Sequence, residues 1–371
     1  MNLIFYQNCI SPHQIPYIKQ ICNDKRINEV YLIVPRADYD MRREMGWDSE
    51  SLLKNTRIKI ILRPSKEQIY HIQQNYIDNS VHLFSGIRAD NSVFNWFKMS
   101  LKYNLVRGII SEAPFTYKIP LCLHYIRFLL QDLKYIPYIK YVFAIGEEAT
   151  QYYLSISKKW RVIPFIYVTE SKLPIQTNKT IDDNKKTVNY IYIGSISDRK
   201  NVISIFRALR LLPNANIKID IIGEGNQKSK IQKYCIQKGI SNLVNFKGVI
   251  PMTEINSLLS NYDILILPSK HDGWGAVINE AITSGLYVIC SNKCGAKSLI
   301  LNEKIGMITK STRSKEFFKV ISQSIGNINS IRMNKQYRTA WSQNISGEVI
   351  ADFFINNIIY NKDIQIPWKN D

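Results

Sequence analysis

Residues 263–291 read DILILPSKHDGWGAVINEAITSGLYVICS. Two apolar runs, DILILP and YVICS, flank a segment of helical character, so the stretch predicts a strand, a glycine-rich turn, a helix and a second strand. Asp272 and Glu280 stand on either side of Gly273 and Gly275, where the first strand gives way to the helix. Ligands of parallel sheets bind beyond the carboxyl ends of the strands. The two acids are therefore candidate binding residues.

The same alternation of short apolar runs and longer amphipathic stretches extends along almost the whole chain. The predicted strands are LIFY, VYLIV, IKIIL, VHLFS, LVRGIIS and YVFAIG in the first half, and VNYIYIG, IKIDIIG, LVNFKG, DILILP and YVICS in the second. Strands that alternate with helices favour parallel sheets. Two such series predict an α/β protein with two Rossmann-like, doubly wound parallel-sheet domains that face a central cleft.

A polar stretch without apolar periodicity separates the two series. It reads TESKLPIQTNKTIDDNKKT and predicts an interdomain linker at 169–187. We therefore expect an N-terminal domain at 1–168 and a C-terminal domain at 188–345. The remaining residues, 346–371, are expected to form a C-terminal helix that packs back on the first domain.

Composition narrows the function classes. The 371 residues carry a formal net charge of +19, from 49 basic and 30 acidic side chains, which would suit nucleic acid or an anionic membrane surface. The positive charge is spread evenly along the chain, net +9 in residues 1–187 and net +10 in the rest. Biased composition is therefore the alternative explanation for the positive charge. The six cysteines form no CxxC pair, and no apolar run approaches the ~20 residues that cross a bilayer. We expect a cytoplasmic protein.

The strand ends of the second half carry residues suited to a sugar nucleotide. Arg199 and Lys200 follow VNYIYIG and are expected to open a helix, whose free N–H groups would join the two cations in binding a diphosphate. Gly223 and Gly225 follow IKIDIIG and would allow a ligand to approach the backbone. Because a carboxylate can accept hydrogen bonds from vicinal hydroxyls, the two acids suit two sugars of one ligand, with phosphates between them.

These residues resemble the retaining glycosyltransferases of family 4, which have the GT-B fold. The family signature is E-G-F-G, an apolar pair, E-A and then G-x-P-V-I, and it stands here as DGWGAVINEAITSGLYVICS. The segments YIGSISDRKNV, IIGEGN and FKG fall at the family's order and spacing, so the resemblance covers residues 188–300. It implies that Glu280 holds the nucleotide ribose and that Asp272 contacts the donor sugar. It also implies that Lys200, six positions after Gly194, holds the diphosphate.

Two positions depart from the family pattern. Asp272 replaces the more usual glutamate and is one methylene shorter, and Ser195 stands where the family often has an arginine, so Arg199 is the candidate second cation. The candidate catalytic residues are Asp272, Lys200 and Glu112, and no residue is assigned as nucleophile or general base. The candidate donor-binding residues are Gly194, Ser195, Arg199, Lys200, Gly223, Gly225, Asp272, Gly273, Trp274, Gly275 and Glu280.

The first half resembles the branch of that family that builds O-antigen, capsule or exopolysaccharide. The residues expected on the acceptor side follow predicted strands, and they are Asn8, His13, Gly86, Arg88 and Glu112. For His13 a structural or capping role is the alternative. The resemblance implies transfer of a hexose or related sugar, from a UDP-sugar or another nucleotide-sugar donor, to a lipid-linked glycan acceptor with retention of configuration.

We expect neither a metal nor another cofactor. The DYD at 38–40 looks like the D-x-D metal motif of the other large transferase fold. The GT-B enzymes that this chain resembles instead manage the charge of the leaving group with helix N-termini and basic side chains, a role that Arg199 and Lys200 could fill.

Residues 98–161 combine ten basic and four acidic residues with many aromatic side chains. This mixture suits the headgroup region of a membrane, so peripheral association with the inner face of the cytoplasmic membrane is one interpretation, and burial in the core is the other. Two further functions stay open. A GT-B-like sugar-nucleotide epimerase would convert the donor without an acceptor. A nucleic-acid-binding protein would show steeply salt-dependent binding, although the chain has no recognised nucleic-acid motif.

Overall fold

Thirteen strands form two parallel sheets in the part of the chain that the computed structural model describes, residues 1–40, 43, 52–54, 56–170, 187–212 and 214–370. The chain divides into two units. The first contains Met1–Glu170 and Ser346–Pro367, and the second contains the described residues within Ser171–Ile345 and Trp368–Asp371. Most of the predicted linker, residues 171–186, lies outside the described residues.

The first unit holds a seven-stranded sheet in the order β3-β2-β1-β4-β5-β6-β7. Its strands are Asn2–Tyr6 (β1), Glu29–Val34 (β2), Lys59–Leu62 (β3), Ser80–Phe84 (β4), Val106–Glu112 (β5), Tyr141–Ile145 (β6) and Arg161–Phe165 (β7). Its helices are Ile15–Asn23 (α1), Lys66–Asn75 (α2), Asn91–Ser100 (α3), Leu121–Gln131 (α4) and Glu147–Ile156 (α5). Helices cover both faces of such a sheet, which is why β4 and β6 are buried along their whole length.

The second unit holds a six-stranded sheet in the order β10-β9-β8-β11-β12-β13. Its strands are Val188–Ile193 (β8), Ile217–Ile222 (β9), Val244–Gly248 (β10), Ile264–Leu267 (β11), Tyr287–Ser291 (β12) and Gly306–Thr309 (β13). Its helices are Ile203–Leu209 (α6), Lys228–Gln237 (α7), Met252–Leu259 (α8), Val277–Thr283 (α9), Ser314–Gly326 (α10), Ile328–Met333 (α11) and Lys335–Trp341 (α12).

The helix Gly347–Ile359 (α13) returns to the first unit. Its Phe354 ring stacks on the Phe143 ring of β6 with 4.3 Å between centroids. A Cβ at Gly347 would lie 2.8 Å from the carbonyl oxygen of Pro16 in α1, so glycine permits the close approach of the two helices. The ion pair Arg26–Asp352, at 2.7 Å, also joins α13 to this unit.

Each sheet has one point at which its strand order reverses. That point lies between β1 and β4 in the first unit and between β8 and β11 in the second. Loops leave two such neighbouring strands in opposite directions, and the crevice between them is the usual ligand site of an open parallel sheet. The loops after β8 and β11 are the ones that carry Lys200 and Asp272.

The predicted fold class is confirmed, because every predicted strand lies on a strand of one of two parallel sheets. Sequence reasoning did not predict β7 or β13 as strands. The four residues of β13, GMIT, are too few to show a strand pattern. The expectation that Arg199 and Lys200 open a helix is wrong: α6 begins at Ile203, and both residues lie in the turn before it. Among the described residues, no helix combines the length and the apolar character needed to cross a membrane.

Candidate functional site

The centre of the candidate site is an ion pair between the loops that follow β8 and β11. Lys200 Nζ donates to Asp272 Oδ2 at 2.5 Å. Their side chains are 14% and 12% exposed, so the pair is largely shielded yet still reached by solvent. Ser269 Oγ lies 3.4 Å from the same Asp272 oxygen. The structure thus brings together two of the three predicted catalytic residues.

Further hydrogen bonds and an ion pair join these two loops. Arg199 Nη1 donates to the carbonyl oxygen of His271 at 2.9 Å, and the Lys270 N–H donates to the carbonyl oxygen of Arg199 at 2.8 Å. Lys270 and Asp198 form an ion pair at 2.9 Å. Arg199 is therefore held beside Lys200 at the carboxyl edge of the sheet, although a backbone carbonyl already takes up part of its hydrogen-bonding capacity.

Asn201, which sequence reasoning missed, fixes this arrangement. Its Nδ2 donates to the carbonyl oxygens of Pro268 at 3.1 Å and Thr312 at 3.0 Å, and the residue is 6% exposed. Its φ of 56° lies in the left-handed region that asparagine tolerates better than most residues. An asparagine directly after two cations at a strand end is the signal that could have identified it.

Gly223 and Gly225 serve packing between loops. A Cβ at Gly223 would lie 2.1 Å from the carbonyl oxygen of Gly194, and one at Gly225 would lie 2.4 Å from the carbonyl oxygen of Ile196. The Ile196 N–H donates to Glu224 O at 2.8 Å, which holds the two loops at that distance. These glycines let the loop after β9 pack directly against the loop that carries Lys200, and the approach of a ligand to them stays a prediction.

The loop that contains Asp272 is itself anchored by its main chain. The Asp272 N–H donates to Lys293 O, and Asp272 O accepts from the Gly295 N–H, both at 3.0 Å. A Cβ at Gly295 would lie 2.1 Å from the carbonyl oxygen of Gly273, which shows how closely the two loops pass. Gly275 has a φ of 93°, and a Cβ added to it would lie 3.6 Å from Asp272 Oδ2.

Trp274 lies in the interior of the second unit. Its side chain is 2% exposed, and its indole Nε1 donates to Asn279 Oδ1 at 2.8 Å. The structure therefore gives the tryptophan of the DGWG segment a role in holding the turn against α9. A donor contact through its ring stays a prediction.

Glu280 lies in the first turn of α9 and is half-buried. Burial raises the pKa of its carboxyl group from 4.5 to about 7. Among the described residues, none donates a hydrogen bond to this carboxyl group. A carboxyl group with a raised pKa and open acceptor positions is suited to receive hydroxyl donors, which would favour its ionised form.

The predicted acceptor-side residues lie at the carboxyl edge of the sheet in the first unit. Asn8 follows β1, Gly86 follows β4, and Glu112 ends β5, and these three strands are neighbours. A Cβ at Gly86 would lie 3.4 Å from Ser111 Oγ, so the ends of β4 and β5 are in contact. The structure thus places these three residues along one edge.

The other two acceptor-side residues have structural contacts. Arg88 Nε donates to Asp132 Oδ1 at 2.5 Å, and its guanidinium lies 4.3 Å from the centroid of the Phe94 ring. The His13 N–H donates to Ser11 Oγ at 3.3 Å, and its carbonyl oxygen accepts from Val168. A structural role thus accounts for the position of Arg88, and acceptor contacts for both residues stay predictions.

The described residues contain no cluster of three or more acidic, histidine or cysteine side chains that could hold a metal ion. Within the DYD segment, the Asp40 side chain is 97% exposed and lies 3.9 Å from Arg43. The absence of a metal or another cofactor from the reaction stays a prediction.

The C-terminal half of the chain matches a known protein family. Residues 175–344 match the family model described as glycosyl transferases group 1. An uncharacterised glycosyltransferase of Methanocaldococcus jannaschii is 25% identical over 139 residues, which are 37% of this chain and 35% of that protein. The lipopolysaccharide glucosyltransferase WaaG of Escherichia coli is 26% identical over 158 residues, 42% of this chain and 40% of that protein. The chain thus aligns with about a third to two fifths of the length of these relatives.

A solved structure covers nearly the whole chain. The Anabaena protein Alr3699/HepE, crystallised with UDP, superposes with a TM-score of 0.72 over 97% of this chain and 100% of its own, at 14% identity. At that identity the likeness shows the fold alone, the GT-B fold. The match to the group 1 glycosyl transferases spans residues 175–344, which is less than half of the chain.

Proposed function

We propose that this protein is a retaining glycosyltransferase that moves a sugar from a nucleoside diphosphate donor, a UDP-sugar, to a lipid-linked glycan in the synthesis of a surface polysaccharide. The observation that carries the proposal is the arrangement of Lys200, Asp272 and the open carboxyl group of Glu280 at the point where the second sheet reverses its strand order. Lys200 and Asp272 are in contact there, and Glu280 lies in the helix that follows the Asp272 loop. These segments would supply a cation for the diphosphate and two acids for two sugars.

The donor chemistry follows from these side chains. Transfer breaks the bond between the anomeric carbon of the sugar and the β-phosphate oxygen, and the electron pair leaves with the diphosphate. Lys200, with Arg199 beside it, would stabilise that growing negative charge. A new bond forms between the anomeric carbon and an acceptor hydroxyl, whose proton is released. In this proposal Glu280 accepts hydrogen bonds from the ribose and Asp272 positions the sugar.

Acceptor and pathway are the finer part of the proposal. The WaaG relative is by name a lipopolysaccharide glucosyltransferase, and the Anabaena neighbour was crystallised with UDP. The name of the first supports an acceptor of the lipopolysaccharide kind, and the UDP bound to the second supports a UDP-sugar donor. Glu112, half-buried at the end of β5, is the proposed acidic contact on the acceptor side.

A thermal-shift experiment with a panel of nucleotide sugars tests the donor site. A donor at ~100 times its Kd adds about 2.7 kcal/mol to the free energy of unfolding, which raises the Tm of a unit of this size by roughly 5–10 °C. We expect this shift in the wild type and in the control Glu254→Ala, which removes an exposed acid of α8 in the same unit. Glu280→Ala should lose most of it, and Asp272→Ala should lose the part that the sugar adds, so that a nucleotide sugar stabilises it no more than UDP does.

The same samples separate the alternatives. A wild type that no nucleotide sugar stabilises, or acid variants that respond like Glu254→Ala, would refute the donor site. Conversion of a UDP-sugar to an epimer in the absence of any acceptor would identify an epimerase instead. Salt-dependent binding to nucleic acid that survives Glu280→Ala would identify a nucleic-acid-binding protein.

A further inference from the structure

The first unit exposes an apolar surface that is concentrated in one segment. Of the nineteen large apolar side chains that are exposed in the described residues, nine lie between residues 115 and 138. They are Phe115, Ile119, Leu121, Leu123, Ile126, Leu129, Leu130, Leu133 and Tyr138. Single exposed apolar residues are ordinary, whereas a contiguous patch marks a surface that binds something.

Helix α4 forms the middle of this patch and is apolar on two opposite sides. Phe128, 7% exposed, is the one residue of α4 that is buried, and it packs against Trp160 in the core. Leu123, Ile126 and Leu130 are spaced three and four residues apart, so they share a face. That face is turned away from Phe128, and its side chains are 51%, 51% and 80% exposed. Core packing accounts for the apolar residue on the inner side of α4, but it does not account for the apolar residues on the outer side.

The segment that carries the apolar face also carries exposed cations. Lys118, Arg127, Lys134 and Lys140 are all exposed. Within residues 113–140 the one acid is Asp132, which is 8% exposed and already bound by Arg88. The surface therefore presents positive charge around an apolar centre, and its charge matches an anionic partner.

A shallow cavity of about 420 Å³ adjoins the patch at Leu133. Its floor is mainly apolar, and two exposed lysines stand at its rim. The lining includes Leu133, Ile136, Pro137, Ile156, Lys158 and Lys159. An apolar floor with paired ammonium groups beside it suits the glycerol backbone and the phosphate of a phospholipid.

We propose that helix α4 and the cavity beside it form a docking surface for a bilayer that contains anionic phospholipid. The outer face of α4 enters the boundary between headgroups and acyl chains, while the lysines and the arginine meet the phosphates. An eleven-residue helix is far too short to cross a bilayer, so α4 lies in the plane of the surface. Two copies of this chain would bring like charges together across the same face, which disfavours a second copy as its occupant. The proposal deepens the proposed function, because it states how the enzyme would reach a lipid-linked acceptor.

Vesicle flotation of the full chain tests the proposal, with phosphatidylcholine vesicles and vesicles in which phosphatidylglycerol is mixed with phosphatidylcholine. The variant Leu123→Ser/Ile126→Ser/Leu130→Ser changes exposed side chains only, and its control Leu211→Ser/Ile236→Ser/Met333→Ser makes the same kind of change at exposed positions of the second unit. Lys158→Glu/Lys159→Glu tests the charge, and its control is Lys230→Glu/Lys233→Glu on the exposed side of α7.

We expect the wild type and both controls to float with the mixed vesicles and to bind phosphatidylcholine alone at least roughly tenfold more weakly, because each cation near an anionic surface strengthens binding. The triple serine variant should lose binding by roughly a hundredfold or more, because it removes several apolar groups from the acyl boundary. The lysine variant should lose about tenfold.

Three outcomes would overturn the proposal. In the first, the wild type floats with neither kind of vesicle. In the second, the triple serine variant floats with the mixed vesicles as well as its control does. The third is a wild-type dimer in light scattering that becomes a monomer in the triple serine variant, because a second copy would then be the occupant. UDP-induced stabilisation, measured on every variant, keeps the two proposals apart: its loss in the wild type refutes the donor site, and vesicle binding is read independently of it.

Discussion

Lys200 and Asp272 are bound to each other at 2.5 Å, although the family resemblance implies that they contact different parts of a sugar nucleotide, the diphosphate and the transferred sugar. The aspartate is one methylene shorter than the usual glutamate of the family that the sequence resembles, yet it reaches the lysine. A diphosphate that approaches Lys200 must therefore share the ammonium group with Asp272. In the proposed donor site, the shorter acid would thus neutralise part of the Lys200 charge before a donor binds.

Asp272→Asn should separate the binding of UDP from the transfer of sugar. Removal of the carboxylate frees the Lys200 charge, so the affinity for UDP should stay equal or rise by up to about tenfold, as expected for loss of one partly buried ion-pair partner. Turnover of the UDP-sugar should fall by roughly 10²-fold or more, since the substitution changes the side chain that we propose to position the sugar. Calorimetric titration with UDP and a transfer assay give the two numbers.

The control for this prediction is Lys200→Met. It removes the proposed diphosphate contact and leaves Asp272 as a shielded charge, so UDP affinity should fall, by roughly 10-fold or more. If the two variants weaken UDP binding equally, Asp272 is needed for the phosphate site itself, and the division of roles proposed here is wrong.

Glu280 should make stability and donor binding respond to pH in opposite directions. Its pKa is raised by burial from 4.5 to about 7, so the folded state binds a proton more tightly than the unfolded state. The contribution of Glu280 to the free energy of unfolding should therefore be greatest below pH ~4.5 and should fall as the pH rises through 7, by about 1–3 kcal/mol. UDP affinity should rise over the same range, because ribose hydroxyls donate to the ionised carboxylate.

Glu280→Gln provides the test of this pH dependence. At pH 8 the variant should be more stable than the ligand-free wild type in urea denaturation, since a neutral amide replaces a poorly solvated carboxylate. At pH 5 the two should have nearly equal stability, and the variant should bind UDP more weakly at pH 8. A variant that is less stable than the wild type at pH 8 would show that the ionised carboxylate has a structural partner.

The positions of Lys200, Asp272 and Glu280 could be predicted from sequence because each follows a recognisable strand or opens a helix. Apolar runs at 188–193 and 264–267 mark the strands, and the carboxyl ends of neighbouring parallel strands meet at one edge. The pattern could not show which loops touch each other. Contacts such as Arg199 with His271 O depend on distances between segments that are 72 residues apart.

The helix boundary at Ile203 and the role of Trp274 could not be predicted for a related reason. A turn and the first turn of a helix share polar composition, and only the left-handed φ of Asn201 shows that the chain still turns after Lys200. A tryptophan between two glycines has the same sequence pattern whether its ring binds a ligand or enters the core. The buried hydrogen bond from Trp274 to Asn279 shows that the ring packs in the core.

Gly223→Ala should destabilise the second unit far more than Gly239→Ala. Both glycines have positive φ, 125° and 65°, so both substitutions carry backbone strain of about 1 kcal/mol. The new Cβ at 223 would also lie 2.1 Å from Gly194 O, whereas a Cβ at 239 meets no atom within 4 Å. We expect an additional loss of about 2 kcal/mol or more in the free energy of unfolding at 223, together with weaker UDP binding. Equal losses in urea denaturation would show that the contact with the loop after β8 is not as close as described.

Asn201→Asp should weaken the donor site although it changes no atom of Lys200 or Asp272. The substitution keeps the size of the side chain, but it removes the donors to Pro268 O and Thr312 O and sets a carboxylate against two carbonyl oxygens. The free energy of unfolding should fall by roughly 2–4 kcal/mol, while Asn261→Asp, at an exposed turn, should change it by less than about 0.5 kcal/mol. Because Asn201 holds the turn that carries Lys200, UDP affinity should fall as well. A variant that loses stability and keeps wild-type UDP affinity well below its Tm would show that the turn positions Lys200 without this asparagine.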